Sequence, residues 1–383
     1  MFKIWDNCLV LLYNEDSTNN FVIYYSFTKL QVNQSYIMSG KILVTGGLGF
    51  IGSHTVVALQ QKGYDVVIID NLSNSSIDVL AGITRITEKT PEFEKLDLRE
   101  KSAVKDFFEK YTDIDGVIHF AASKAVGESV KNPLLYYENN LASLIYLLQE
   151  LSKKDKANFI FSSSCTVYGQ ADELPIKEEF PVKKAESPYG NTKQIGEEII
   201  IDSCKVAEGL KAISLRYFNP IGAHHSAEIG ELPLGTPQNL VPFITQTAIG
   251  KRKELSIFGD DYPTEDGTCI RDYIHVMDLA EAHVAALTRL LENKEAPKYE
   301  VFNLGTGKGS SVLEVVHSFE RATNEKLNYK IAPRREGDVI AAYADTTKAN
   351  KVLGWKADTD LDTSLASAWK WEKKVQEKEE VEE

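Results

Sequence analysis

The chain has 383 residues, 43% hydrophobic and 26% charged, which is the make-up of a globular protein with ample apolar material for a core. Its 43 Lys and Arg against 56 Asp and Glu leave a formal charge of −13, which excludes a nucleic-acid groove as the main site; an anionic small molecule must be held by a few local cations and backbone donors. The four cysteines, Cys8, Cys165, Cys204 and Cys269, lie far apart with no C-x-x-C spacing, so no metal or dithiol chemistry is expected and a reducing compartment suits them. No apolar run reaches the roughly 18 residues of a membrane helix.

Residues 1–37 differ in texture from the rest of the chain. A short apolar run, Leu9 to Leu12, precedes a polar stretch from Asn14 to Asn20, and Asp6 spoils a secretory-signal reading. The segment reads as a leader outside the fold, disordered or the product of an early start codon, with Met38 directly before the first strand.

From Lys41 strand and helix signals alternate. Lys41–Thr45 reads as a buried strand, Thr55–Lys62 as a helix stopped by Gly63, and Asp65–Asp70 as the next strand. Gly116–Ala121, Asn158–Ser162 and Lys211–Tyr217 are further short β-rich runs, and Pro133–Ser152 has helical spacing. Strands separated by helices imply a parallel sheet covered on both faces, an α/β doubly wound, Rossmann-like fold. After Asn219 the texture changes to Gly, Pro, Asp and Thr, which predicts a smaller, loop-rich second domain. His275–Glu292 is helical again, and Tyr299–Leu304 reads as a strand returning to the sheet. The last residues, 373–383, read as a solvated charged tail.

The first strand runs into Thr45-Gly46-Gly47-Leu48-Gly49-Phe50-Ile51-Gly52. Gly46, Gly49 and Gly52 have the spacing that allows a tight turn, close approach of a pyrophosphate and close helix packing, with the phosphate charge at the positive helix end. Asp70 ends the next strand, where a carboxylate accepts from ribose hydroxyls, and no Arg or Lys directly follows it, which favours NAD over NADP. Asp97, at the end of a further strand, is placed beside the adenine.

Three residues carry chemistry. Ser164 follows the strand at Asn158–Ser162, and Tyr189 and Lys193 are four apart, on one face of a helix. A phenol near pKa 10 is a poor base at neutral pH, but a nearby ammonium and a positive nicotinamide ring favour its phenolate. Such a tyrosine can take a proton from a sugar hydroxyl while hydride leaves the same carbon, with Ser164 sharing the proton.

These motifs resemble the extended short-chain dehydrogenase/reductase family, and within it the branch of UDP-hexose 4-epimerases. The likeness runs from about Gly40 to Trp371 and rests on Leu43–Thr55, Ile68–Ser75, Ile118–Ser129, Phe159–Gly169, Ser187–Lys193, Leu215–His224, Phe258–Ala280 and Ala332–Asp338. It implies interconversion of UDP-galactose and UDP-glucose through a 4-keto sugar, with tightly bound NAD regenerated in each cycle. It also implies a cofactor shell of Gly46, Phe50, Ile51, Asp70, Asn71, Asn74, Asp97, Leu98, Phe120, Ala121, Lys124, Asn139 and Lys193. The implied UDP-sugar shell is Asn219, Asn239, Leu240, Phe258, Arg271, Tyr273, Arg335 and Asp338, with the two arginines suited to diphosphate oxygens. On this reading residues 38–219 form the NAD-binding domain, with 272–304 returning to it, and 220–372 the UDP-sugar domain. The resemblance further implies a cytoplasmic homodimer built on Pro133–Ser152 and Tyr189–Ala207. A small residue at Ala342, beside the sugar, extends the expected substrates to UDP-N-acetylglucosamine and UDP-N-acetylgalactosamine.

Other readings share the fold. Epimerases of UDP-glucuronate or UDP-xylose are the nearest. A nucleotide-sugar dehydratase needs an extra acid and base, and the segment after the serines, Cys165-Thr166-Val167-Tyr168, carries no carboxylate. A non-catalytic NAD-sensing module has no need of the Tyr189 and Lys193 pair.

Overall fold

The structure, a computed structural model, describes residues 40–335 and 338–382, and four short strands before them. Met1–Ile37 form a unit of their own, in which Ile4–Trp5 pairs antiparallel with Cys8–Leu9, and Leu11–Asn14 with Phe21–Tyr24. Apart from those strands, the expected loose leader lies outside the described residues. Met38–Glu383 form the other unit.

Seven parallel strands make its main sheet: β1 (Lys41–Thr45), β2 (Asp65–Asp70), β3 (Glu92–Lys95), β4 (Ile114–His119), β5 (Ala157–Ser164), β6 (Leu210–Tyr217) and β7 (Tyr299–Leu304), in the spatial order 3-2-1-4-5-6-7. The order reverses between β1 and β4, and the crevice at the carboxyl ends of the strands beside such a reversal is where α/β sheets bind ligands.

The two-residue period of the strands divides the core. Ile42 and Val44 of β1, with Val66 and Ile68 of β2, join one apolar cluster with α1 (Phe50–Gln61) and the helix Val276–Glu292. Leu43, Val67 and Ile69 face the other way, onto the helix Lys101–Lys110 and on to α2 (Pro133–Leu151) and α3 (Pro188–Val206). A strand covered on both faces must be apolar at every position, which is why β1 and β2 read as unbroken runs.

A third cluster, built from residues after Asn219, forms a smaller lobe within the same unit. The helix Leu240–Ala248 gives Val241 and Ile244, the strand Leu255–Phe258 gives Leu255 and Ile257, and the helix Val312–Thr323 gives Val315, Val316 and Phe319. Leu365 and Trp369 of the helix Leu361–Glu382 complete it. Ser311 and Glu314 close a capping box at the start of Val312–Thr323. Short strands join this lobe to the sheet: Asn219–Ile221 pairs with Tyr273–His275, and Ile270–Arg271 pairs with Ala341–Ala342. Residues 373–382, read from sequence as a solvated tail, continue the last helix, where Lys374 pairs with Glu228 and Lys251 with Glu379. The alternating Lys and Glu conceal a helix because its partners lie far away in the chain.

Candidate active site

The glycine turn sits at the carboxyl end of β1. Gly46 has φ +67°, and a side chain there would press on the Ala121 nitrogen at 2.8 Å. Gly52, in the first turn of α1, has no room at all: a Cβ would lie 2.2 Å from the Gly46 oxygen. Gly49 is the N-cap of α1, no side chain caps the helix, and no acidic residue lies in its first turn, which includes Phe50 and Ile51. Unsatisfied amides at a helix end free of anions fit a pyrophosphate.

Asp70 is nearly buried at the end of β2 and accepts from the Leu48 amide at 3.2 Å, the Leu72 amide at 3.0 Å and Ser75 Oγ at 2.8 Å, so its carboxylate is fixed against the turn. Asn71 donates to Asp97 at 3.2 Å. Arg99, which the sequence reading missed, also donates to Asp97, at 2.7 Å, and holds its carboxyl down at about 2. Leu98 is buried in the core beside the helix Lys101–Lys110, whereas Asn74 is exposed on the loop after β2. Beyond β4, Phe120 and Ala121 pack against the Gly46 turn, and Asn139 of α2 donates to Ser123 Oγ at 3.1 Å.

The chemical residues lie at the end of β5 and the start of α3. Ser187 is the N-cap of α3 and accepts from the Gly190 amide at 3.1 Å, which sets Tyr189 in the first turn and Lys193 one turn later. Ser164 ends β5 and caps the short 3₁₀ helix Cys165–Tyr168 by accepting from the Thr166 amide at 3.2 Å. Tyr189 and Lys193 are both buried. Burial pushes the Tyr189 phenol well above its ordinary range, opposed by a hydrogen bond with Ser164. Burial likewise pulls the Lys193 ammonium down to about 7, with Glu197 acting in the opposite direction. The sequence argument expects a lowered phenol; the protein's own groups do not lower it, because desolvation penalises both charged forms and Lys193 Nζ donates to the Ser162 carbonyl at 2.6 Å. Thr166, also missed, has a buried Oγ1 with no partner among the described residues, two positions past Ser164.

Of the residues expected on the substrate side, Arg271, Arg335, Asp338 and Phe258 come together. Arg271 and Arg335 converge on Asp338, at 3.5 and 2.9 Å, and the Arg335 guanidinium lies 5.1 Å from the ring centre of Phe258. Burial pushes the thiol of Cys165, the residue after Ser164, up to about 11, and the charge of Arg271 opposes that rise. Asn219 and buried Tyr273 are paired in register. Ala342 is the register partner of Arg271. Asn239 is the N-cap of Leu240–Ala248, with Leu240 in its first turn, and its amide donates to Glu231 Oε1 at 2.6 Å. Lys124 of the cofactor set lies 3.5 Å from the same oxygen.

The chain matches the family described as GDP-mannose 4,6 dehydratase over residues 43–367. It is 49% identical over 331 residues to UDP-glucose 4-epimerase of Erwinia amylovora, covering 86% of this chain and 97% of that one. It is 48% identical over 339 residues to UDP-glucose 4-epimerase of Mus musculus, covering 87% and 96%. The crystal structure of UDP-glucose 4-epimerase from Bifidobacterium longum in complex with NAD+ and UDP superposes with a TM-score of 0.84 at 47% identity, over 88% of this chain and 99% of that one.

Proposed function

The chain belongs to the UDP-glucose 4-epimerases, and from that premise we propose how its own residues divide the work. The activity is the NAD-dependent interconversion of UDP-galactose and UDP-glucose through a 4-keto sugar. When bound, NAD supplies the acceptor and then the donor of the hydride at the sugar C4.

Tyr189 takes the proton of the 4-hydroxyl as the C4 hydride departs, and the C4–O bond becomes a carbonyl. Ser164 shares that proton and holds the sugar oxygen. Lys193 brings a positive charge beneath the phenol, and the positive ring of a bound nicotinamide would add to the bias toward phenolate that burial opposes. The 4-keto sugar turns about its bonds to the diphosphate, hydride returns to the other face of C4, and Tyr189 returns the proton. The cycle is redox-neutral, so no external oxidant or reductant is needed.

The glycine turn, Asp70, Asn71, Asp97, Phe120, Lys124 and Asn139 hold the cofactor. Arg271 and Arg335 take the diphosphate, with Asp338 keeping their guanidinium planes converged. Phe258, Asn239 and Leu240 line the UDP-sugar side from residues 220–372, and Asn219 and Tyr273, paired in register, line it where the cofactor-binding part, 38–219 with 272–304, meets them. The observation that carries this assignment is the burial of Ser164, Tyr189 and Lys193 together at the carboxyl edge of the sheet. Replacing Tyr189 by Phe and measuring UDP-galactose turnover tests it.

A small Ala342 beside Arg271 leaves room for an N-acetyl group at C2 of the sugar, so the UDP-N-acetylhexosamine pair also reacts. The protein acts as a homodimer through α2 and α3: these helices pack on one another, and Leu134 and Leu135 at the start of α2 are exposed. Among the described residues no helix is long and apolar enough to cross a membrane, and the free thiols of Cys165, Cys204 and Cys269 suit the reducing cytoplasm.

A further inference from the structure

The three serines that end β5 are each held differently. Ser162 offers its carbonyl to Lys193 and its hydroxyl to Tyr217. Ser164 faces Tyr189. Ser163, between them, points to the opposite face of the strand and donates to Glu197 Oε1 at 2.5 Å.

Glu197 belongs to α3, one turn beyond Lys193. Its carboxylate is buried and accepts a two-pronged contact from Arg216 of β6, at 2.9 and 2.5 Å. The side chains are 6% and 7% exposed, so this is an ion pair withdrawn from water. Arg216 also donates to the Tyr168 hydroxyl at 2.9 Å, and Tyr168 donates to Asn303 of β7 at 2.7 Å. The network thus ties together α3, three adjacent strands and the 3₁₀ helix that comes after Ser164. A buried pair of this kind is costly to desolvate and is a weak source of net stability, so its place invites a different account.

We propose that Glu197 is a positioning residue for the epimerisation: through Ser163 and Arg216 it fixes the end of β5 against α3, and it sets a buried carboxylate one helical turn from Lys193. The inference rests on the roles given above to Tyr189 and Lys193. The groups facing Lys193 are few. Tyr189 and Glu197 come from its own helix, the Phe161 ring and Ser162 carbonyl from β5, and His119 from β4. His119 is buried and hydrogen-bonded to Thr45 Oγ1 at 2.7 Å, and burial keeps it neutral by pulling its pKa down to about 3. Among the described residues of that set Glu197 is the one anion, and Arg216 of β6 is the cation paired with it. The Glu197 carboxylate opposes the desolvation that takes the proton from Lys193. A side chain that served packing alone would need neither the charge nor the reach to Ser163.

The test is the kcat–pH profile of the NAD-loaded enzyme for E197Q and E197D, with Y189F alongside. Loss of the anion makes Lys193 easier to deprotonate. The alkaline limb for E197Q is expected to move to lower pH by about one unit, with KM within about threefold and NAD retained; E197D is expected to keep the wild-type limb. Gln at this position leaves Arg216 buried without its counter-charge. Should E197Q fail to fold, R216Q, which keeps the anion and removes the cation that pairs with it, is expected to move the alkaline limb to higher pH. A limb that stays within about 0.3 unit of wild type in the folded variant overturns the proposal. Inactive Y189F beside an unshifted E197Q sinks the role of Glu197 alone; an active Y189F sinks the site reading and this proposal with it.

Discussion

Lys193 Nζ donates to the main-chain oxygen of Ser162 at 2.6 Å, which places a buried cation under the strand end that carries Ser164. The contact fixes the ammonium from the β5 side, while the helical spacing fixes it from the Tyr189 side. An ammonium held by one carbonyl and a nearby carboxylate is ready to act on a phenolate without moving, and preorganised charge of this kind costs no rearrangement at the moment of reaction.

Replacing Tyr189 by Phe removes the proton acceptor and little else. Turnover of UDP-galactose should fall by about 10²–10⁴-fold, the range for a lost general base. Bound NAD, released by denaturation and measured by absorbance, should remain at the wild-type ratio. Normal turnover would remove Tyr189 from the chemistry.

Gly52→Ala drives a methyl group to 2.2 Å from the Gly46 oxygen, so either the turn or α1 must shift. Overpacking costs about 1–3 kcal/mol, and here the strain falls on the pyrophosphate turn itself. Purified protein should carry much less NAD and unfold at lower urea. A variant with full NAD content would show that the turn has more freedom than its geometry allows.

The histidines make the fold acid-labile. Burial holds His54 and His119 at about 3 and His224 and His283 at about 4, against 6.5 for an exposed imidazole. Between those values and 6.5 the unfolded chain binds the proton and the folded chain does not, so stability falls as pH falls through this window. Each such group contributes a slope of about 1.4 kcal/mol per pH unit where it is fully in force. Urea unfolding of the full chain should therefore show a steep loss of stability from pH 6.5 to 4.5. Equal stability at the two ends would mean that these imidazoles are charged or open to water in the fold.

Ala342→Tyr puts a bulky ring next to Arg271 at the sugar side. UDP-N-acetylglucosamine turnover should fall by at least about tenfold, and UDP-galactose turnover by less than about threefold, since a pocket rejects an oversized group by steric exclusion. Parallel loss of both substrates would place residue 342 away from the C2 substituent.

Much of the sheet is legible in the sequence because strands buried on both faces must be apolar throughout. The runs at Lys41–Thr45, Asp65–Asp70 and Tyr299–Leu304 coincide with β1, β2 and β7. Helix α1 begins five residues before the predicted Thr55, at Phe50, because the glycines that mark the turn hide the helix they initiate. The helices Leu240–Ala248 and Val312–Thr323 are hidden amid residues that read as loop-rich, since their apolar faces meet only across distant parts of the chain. Within the site, the glycine spacing and Tyr189–Lys193 are visible as short-range patterns. Glu197 also lies at helical spacing from Lys193, but nothing local marks its partner Arg216, which comes from another strand. Arg99 gives no signal of its own, since an arginine two residues past an aspartate is an ordinary loop pairing until the fold brings Asn71 to the same carboxylate. Asp272, fully buried, is a further case: it accepts from the Thr306, Gly307 and Ala344 amides and so fastens the Arg271 strand to two loops that only the fold brings near.

The hydride at C4 is the most direct probe of the whole account. With UDP-galactose carrying deuterium at C4 and enzyme holding its own NAD, in ordinary water, the UDP-glucose formed should keep the deuterium at C4 as read by NMR and mass spectrometry, with none passed to solvent. Protium at that carbon in the product would contradict a hydride lent and returned within the site.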